Sequence, residues 1–196
     1  MSKVFKKYSK GNINADLKVI SLGLGVQSTA VYLMSSMGYK IPRADVAIFS
    51  DPQAEHYKTY NTLKWLQDWK NKNNGIKIIV NKDNNIVKDI LDGQKYNKRW
   101  ASIPAHSESG GIIRRQCTVE YKINPVIQTT RKLHGLNKGQ HMKSTEMWLG
   151  ISTDEIERMK DSSLYNIKYF YPLIYHGLSR NDCINFYKEN NFPVPI

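Results

Sequence analysis

The segment KVISLGLGVQSTAVYLMSSMG, residues 18 to 38, decides the fold that the sequence predicts. Leu17–Leu22 is a short apolar run of the kind found in buried strands. Gly23 and Gly25 follow in a tight turn, and apolar residues then recur at helical spacing up to Gly38, a residue type that often ends helices. Such a turn aims backbone N–H groups and the positive end of a helix dipole at one point. It therefore predicts a site for phosphate or sulfate, with a simple packing turn as the alternative.

Alternating elements continue along the chain. Further strands or extended pieces are predicted at Ala44–Phe49, Ile76–Val80, Glu146–Ile151 and Tyr169–Pro172, and helices at Tyr57–Trp69, Ile86–Leu91, Val119–Leu133, Ser152–Lys160 and Ser179–Glu189. Pro125 falls inside one of these helices, where it should bend the helix or begin a new first turn. The alternation predicts an α/β fold: a doubly wound, mostly parallel sheet of about five strands with helices on both faces.

The length of 196 residues suits a single domain covering 1–196. Within it we expect a basic N-terminal extension over 1–16, a long active-site loop over 93–117, and a C-terminal extended segment and helix over 161–196. No apolar run approaches the roughly 20 residues that cross a bilayer, so no membrane partner is expected. The basic N-terminus is not followed by the apolar region of a secretory signal, which predicts a cytoplasmic protein.

The formal net charge of +12, from 29 Lys and Arg against 17 Asp and Glu, should attract polyanions. The basic residues are spread over several elements and do not form the long run of a nucleic-acid-binding arm. The clusters Lys95–Arg99 and Arg114–Arg115 fit phosphate binding best, with solvated surface as the alternative. Nucleic acid stays open as a partner, and so does a homo-oligomer.

Segments in a fixed order resemble one family. SLGLGVQSTA (21–30) resembles the PP-loop of the adenine nucleotide alpha hydrolase superfamily, in the variant of the phosphoadenosine phosphosulfate (PAPS) reductases. IFSDPQAEHYKTYNTLKWL (48–66) resembles the second motif of those reductases. IIRRQCTVEYKINPV (112–126), LGISTDEIERMK (149–160) and YFYPLI (169–174) resemble segments of phage and bacterial members.

The resemblance implies that the chain binds an adenine nucleotide, ATP among the candidates, at the loop after the first strand. It implies chemistry at or near the alpha phosphate, of the hydrolase or transferase type. From the sequence and the resemblance, the candidate nucleotide- or phosphate-binding residues are Ser21, Gly23, Gly25, Gln27, Ser28, Thr29, Asp51, Arg114, Arg115 and Arg158. Asp51 could instead cap the helix that follows it.

Two residues are candidates for catalysis. His106 lies in the long loop and has the chemistry of an acid or base. Cys117 follows Arg114 and Arg115, whose charges should lower the pKa of its thiol. A buried, inert cysteine is the alternative for Cys117.

Departures from the family pattern shape the remaining expectations. Gln27 stands where PP-loop pyrophosphatases carry an acid, and an amide can hydrogen-bond an oxyanion but offers no anionic ligand to a metal. This weakens ATP cleavage, although Mg²⁺ stays compatible with the site. The cysteine-rich segment and the C-terminal Glu-Cys-Gly-Leu-His of family members do not occur, so neither an iron–sulfur cluster nor thioredoxin-dependent PAPS reduction is expected. No paired-histidine spacing suggests zinc or another metal ligand set.

Two other functions remain open at this point. One is the sequestration or cleavage of an adenine-containing signal nucleotide or a cyclic dinucleotide. The other is sulfur modification of nucleic acid with a partner protein.

Overall fold

The computed structural model describes residues 14–96, 117–137 and 139–196. The strands are β1 (Leu17–Ser21), β2 (Val46–Ser50), β3 (Lys77–Asn81), β4 (Thr145–Leu149) and β5 (Ile167–Phe170). The α-helices are α1 (Val26–Met37), α2 (Tyr57–Lys72), α3 (Ile86–Tyr96), α4 (Asn124–Leu133), α5 (Pro172–Tyr175) and α6 (Arg180–Glu189). A π-helical turn over Val119–Ile123 precedes α4, and a 3₁₀ helix over Thr153–Arg158 follows β4.

The strands form one sheet in the order β3-β2-β1-β4-β5, and every neighbouring pair is parallel. The strand order runs outward from β1 in both directions, so the chain reverses its winding beside β1. In open α/β sheets, ligands bind in the crevice outside the carboxyl ends of the strands at such a switch point. The predicted doubly wound α/β fold is confirmed.

Alternate residues of the central strands enter two separate cores. Ile20, Ala47 and Trp148 pack on one face with residues of α1 and α6. Val19 and Ile48 pack on the other face with residues of α4. A parallel sheet is covered by helices on both faces, which is why the strands read as continuous apolar runs in the sequence.

Pro125 lies just after the π-helical turn, in the first turn of α4. Proline has no N–H, so it cannot donate to the carbonyl of Tyr121 four residues earlier. That carbonyl instead accepts a hydrogen bond from Ser50 Oγ at 2.7 Å, at the end of β2. Of the two outcomes expected for Pro125, the second is confirmed, because it lies in the first turn of α4. The turn is thereby fastened to the carboxyl edge of the sheet.

Several element ends agree with the sequence prediction, and others differ. Gly38 ends α1 in the left-handed conformation with φ of 67°, and α6 begins with a capping box between Ser179 and Asp182. The helix α3 runs past Gly93 to Tyr96, so the predicted end at Leu91 is wrong. No helix in the described ranges has the length and apolar character needed to cross a membrane.

Candidate functional site

A cleft of about 480 Å³ opens at the carboxyl edge of the sheet, beside the switch point. The segment from the end of β1 into the first turn of α1 forms one wall, and the end of β4 adjoins it. The ends of β2 and the π-helical turn form the apolar side, with Phe49, Ile123 and Val126. Thr118, Lys122, Arg158 and Lys160 complete the lining.

The glycine turn presents its backbone to this cleft. Gly25 stands at the N-cap of α1 with φ of −86° and ψ of 177°, and it has no side chain to bond the helix N–H groups. The first N–H groups of a helix have no partner within the helix, and two of the residues that carry them in α1, Gln27 and Ser28, line the cleft. Leu24 has φ of 60°, an uncommon conformation for a residue other than glycine. Its side chain is 1% exposed, which anchors the turn in the core.

Gly150 brings the end of β4 against the first turn of α1. A Cβ at this position would lie 2.6 Å from both the N and the Cα of Ser28. Contacts that short do not occur between real atoms, so only glycine allows the two backbones to approach this closely. The close packing places Gly150 and Ile151 in the cleft wall next to the turn.

Gln27 lies at the centre of a polar network on the cleft wall, although only 7% of its surface is exposed. Arg180 Nη1 donates to Gln27 Oε1 at 2.8 Å. Gln27 Nε2 lies 3.4 Å from Ser152 Oγ and 3.4 Å from Glu155 Oε2. Three segments far apart in the sequence therefore meet at one amide.

Cationic side chains surround the cleft. Lys122 Nζ pairs with Glu55 Oε1 at 2.6 Å, and Arg158 Nη1 pairs with Glu155 Oε2 at 2.8 Å. Solvent-exposed ion pairs of this kind contribute little free energy to stability, so a bound anion can replace the carboxylates as partner of the cations at small cost. Lys160 is exposed and forms no ion pair with a carboxylate of the described residues. The cleft thus combines backbone donors, an amide and cations, which is the chemistry of an oxyanion site.

The structure brings together most of the predicted binding residues that it describes. Those that line the cleft are Ser21, Gly23, Gly25, Gln27, Ser28 and Arg158. Thr29 is fully buried beneath the turn, so it supports α1 from inside. Three predicted residues, His106, Arg114 and Arg115, lie outside the described residues.

Asp51 is placed away from the cleft lining. Its carboxylate is buried, and Oδ1 accepts hydrogen bonds from the Gln53 N–H at 2.8 Å and from Tyr60 Oη at 2.9 Å. Both partners belong to the loop after β2 and the helix α2 that follows it. The contacts seen for Asp51 are therefore those of a residue that closes its own loop. The alternative role expected for Asp51, capping α2, is filled by His56, whose side chain accepts a hydrogen bond from the Lys58 N–H.

The two cysteines have different surroundings. Cys183 is fully buried in α6, and burial raises the pKa of its thiol to about 12. It is therefore a protonated, unreactive thiol at neutral pH. Cys117 is partly exposed and precedes Thr118, which lines the cleft. In the ranges the structure describes, no three His, Cys, Asp or Glu side chains are grouped to hold a metal ion.

Sequence reasoning missed three important residues. Gly150 was placed inside a predicted strand, where an isolated glycine often marks a close backbone approach. Ser152 stands at the predicted N-cap position, but its side chain makes no cap hydrogen bond and its hydroxyl faces the Gln27 amide. Arg180 begins α6, at the end of a helix where the dipole disfavours a cation. That unfavourable placement is the signal that could have identified Arg180.

The fold is similar to that of a solved PAPS reductase. The crystal structure of phosphoadenylyl-sulfate (PAPS) reductase from Candida auris, a phosphate complex, matches with a TM-score of 0.51 and 13% sequence identity. The match covers 91% of this chain and 74% of the reductase chain. At this identity the likeness shows the fold. No protein-family model and no curated protein matches the sequence.

Proposed function

We propose that the chain binds an adenine nucleotide with a phosphate or sulfate group at the glycine turn, and that its chemistry takes place at or near the alpha phosphate. One observation carries this proposal. Gly25, Gln27 and Ser28 at the start of α1, where helix N–H groups have no partner within the helix, line the same cleft as Arg158 and Lys160. Helix N-termini and basic side chains together favour a negatively charged oxygen.

The shape and lining of the cleft support a nucleotide rather than a bare anion. A volume of about 480 Å³ falls within the usual range for pockets that hold small molecules. The glycine turn contributes polar groups to the lining, and Phe49, Ile123 and Val126 contribute apolar side chains. A ligand with one anionic end and one flat apolar end matches this division. The similarity of fold to a PAPS reductase supports the adenine class of nucleotide.

A second candidate is capture of the nucleotide without turnover, which includes the sequestration of a signal nucleotide. One observation favours it. In the part of the chain that the structure describes, the two carboxylates paired beside the cleft, Glu55 and Glu155, both hold cations. Each of these carboxylates is engaged by a cation in the structure, so neither stands as an uncommitted acid or base beside the cleft. Under the first candidate, the acid, base or nucleophile is His106 or Cys117.

The decisive experiment has two arms. Small molecules released from purified, denatured protein are identified by mass spectrometry, and the emptied protein is titrated by calorimetry with ATP, PAPS and a cyclic di-adenine nucleotide. We expect at least one of these adenine nucleotides to bind. Failure of all of them to bind would remove the proposed function.

Turnover is then measured on whichever ligand binds. AMP-type product supports the hydrolase or transferase, and intact recovered ligand supports capture. Sulfite released from PAPS with thioredoxin, and lost in Cys117→Ser, would instead make the protein a reductase.

A further inference from the structure

The side-chain amide of Gln27 has a fixed orientation because of its partner on α6. Arg180 Nη1 lies 2.8 Å from Gln27 Oε1, across 153 residues of sequence. A guanidinium group has donors only, so the amide oxygen must face Arg180. The amide NH₂ consequently points the other way, toward Ser152 and Glu155.

The amide NH₂ of Gln27 is weakly held on that side. Its distances of 3.4 Å to Ser152 Oγ and Glu155 Oε2 exceed the 2.7–3.2 Å typical of N–H donors. The Glu155 oxygen is also the partner of Arg158 at 2.8 Å. Glu155 therefore accepts from two cleft donors, the Gln27 amide and the Arg158 guanidinium. A bound oxyanion can take its place as the acceptor for both.

Arg180 is held in place at a position that is unfavourable for it locally. It is the first residue of α6, where the positive end of the helix dipole repels a cation. Its backbone N–H donates to Asp154 Oδ1 at 2.9 Å, and this bond lowers the pKa of the Asp154 carboxyl. The backbone contact fixes the position of the Arg180 main chain, and the hydrogen bond to Gln27 Oε1 fixes the guanidinium group.

We infer that Arg180 is a positioning residue that holds Gln27 as a hydrogen-bond donor to the bound oxyanion. This inference rests on the proposed function of the same cleft. With its oxygen engaged, Gln27 offers the ligand only N–H groups. Gln27 therefore favours a sulfate or phosphate group whose contacting oxygen carries no metal ion. It disfavours a group whose contacting oxygen is already bound to Mg²⁺.

The test is a double-mutant cycle with PAPS as the probe, measured by calorimetry in EDTA. Arg180→Gln, Gln27→Ala and the double variant are compared with the parent. Lys188→Gln is the matched control, because Lys188 is an exposed cation in the last turn of the same helix. We expect Arg180→Gln to weaken binding about tenfold when Gln27 is present and less than about twofold when residue 27 is alanine, since residues acting through one another are not additive. The control should change affinity less than about twofold.

Equal losses in both backgrounds would overturn the inference, because Arg180 would then act on the ligand without Gln27. The selectivity arm repeats the titrations with ATP and excess Mg²⁺. There Arg180→Gln should change affinity less than it does for PAPS in EDTA. The same loss for both ligands would remove the claim about metal-free oxyanions.

A measurement without ligand separates this inference from the proposed function. The side-chain NH₂ resonances of Gln27, assigned by NMR with the Gln27→Ala variant, should shift in Arg180→Gln and stay unchanged in Lys188→Gln. Unchanged resonances in Arg180→Gln would overturn the positioning role even if nucleotides bind. Shifted resonances in a protein that binds no nucleotide would leave the contact standing and overturn the oxyanion role together with the proposed function.

Discussion

The turn after β1 and the loop after β2 both connect a buried parallel strand to the next helix, at the same edge of the sheet. In the loop after β2, backbone N–H groups are hydrogen-bonded by side chains of the same loop. Asp51 accepts bonds from Gln53 and Tyr60, and His56 Nδ1 accepts one from the Lys58 N–H at 3.2 Å, which caps α2. The N–H groups at the start of that helix and loop are thus partly used by side chains of the loop.

The turn after β1 has no such side chain. Gly25 caps α1 with backbone alone, and Leu24 turns its side chain into the core. The same edge of the sheet therefore contains two strand-to-helix connections that differ in whether side chains cap the helix N–H groups. The connection that we propose as the ligand site is the one whose helix N–H groups receive no side-chain cap.

Gly150→Ala should have the largest effect. The new methyl group would lie 2.6 Å from the backbone of Ser28, so β4 and α1 must move apart. We expect a loss of about 3 kcal/mol in the free energy of unfolding, the upper range for overpacking, together with loss of nucleotide binding. Denaturant unfolding and calorimetry measure the two effects. Gly23→Ala is the control, because its Cβ would lie 3.6 Å from Ser28 Oγ, an ordinary contact. A Gly150→Ala protein as stable as Gly23→Ala would contradict the close packing.

Gly25→Val should abolish binding and spare the fold. The backbone at Gly25 has φ of −86°, which valine can adopt, and the nearest atom to a new Cβ is the Ile196 carbonyl oxygen at 3.8 Å. The side chain would cover the N–H groups that the turn presents. We expect affinity to fall at least about a hundredfold, with a stability change under about 1 kcal/mol. Unchanged affinity would remove the turn from the site.

Asp51→Ala should show the opposite behaviour. It removes the acceptor of two hydrogen bonds inside the loop after β2, so we expect a loss of about 2 kcal/mol in stability. Asp51→Asn keeps Oδ1 as an acceptor and should lose less. Because Asp51 does not line the cleft, affinity for the nucleotide should change less than about twofold. A large loss of affinity in a folded Asp51→Asn protein would return Asp51 to the binding site.

Tyr60→Phe should have the smallest effect, and one that depends on pH. Burial, followed by the hydrogen bond to Asp51 and the charges of Asp51 and Glu55, raises the pKa of Tyr60 above its usual 10.0, although the hydrogen bond from the Glu55 N–H opposes this shift. The folded state then holds the phenolic proton more tightly than the unfolded state, so this contribution is complete below pH 10.0 and is lost as the pH rises above it. We expect the stability difference between parent and Tyr60→Phe, about 1 kcal/mol or less at pH 8, to shrink further at about pH 11. A difference that grows with pH would contradict the bond to Asp51.

The sequence was sufficient for features that depend on local pattern. Alternating apolar runs predicted the strands, and Gly38 predicted the end of α1, because periodicity and helix capping act over a few residues. The glycine turn, Gln27 and Ser28 were predicted as site residues, and the structure places them on the cleft wall for the same local reason.

Features that depend on distant contacts were not accessible from the sequence. The contact between Gln27 and Arg180 joins residues 153 positions apart, and nothing near either residue encodes it. The π-helical turn depends on Ser50 meeting the Tyr121 carbonyl, which only the folded sheet arranges. For Asp51, a position at a strand end suits both a ligand contact and a helix cap, and neither predicts the hydrogen bond from Tyr60 that the folded chain makes to it.

The pairing of β1 with β4 also has a consequence for how the protein matures. Ser21 lies beside Leu149 in the sheet, so the two halves of the cleft come from parts of the chain separated by more than a hundred residues. Contacts so distant in sequence are expected to form late in folding. Closing the long loop between them costs conformational entropy before the contacts contribute any stabilisation. On the ribosome, a nascent chain in which β4 has not yet emerged therefore lacks one wall of the cleft. We expect nucleotide capture to begin only after β4 and Gly150 have emerged, so that binding marks the pairing of β1 with β4.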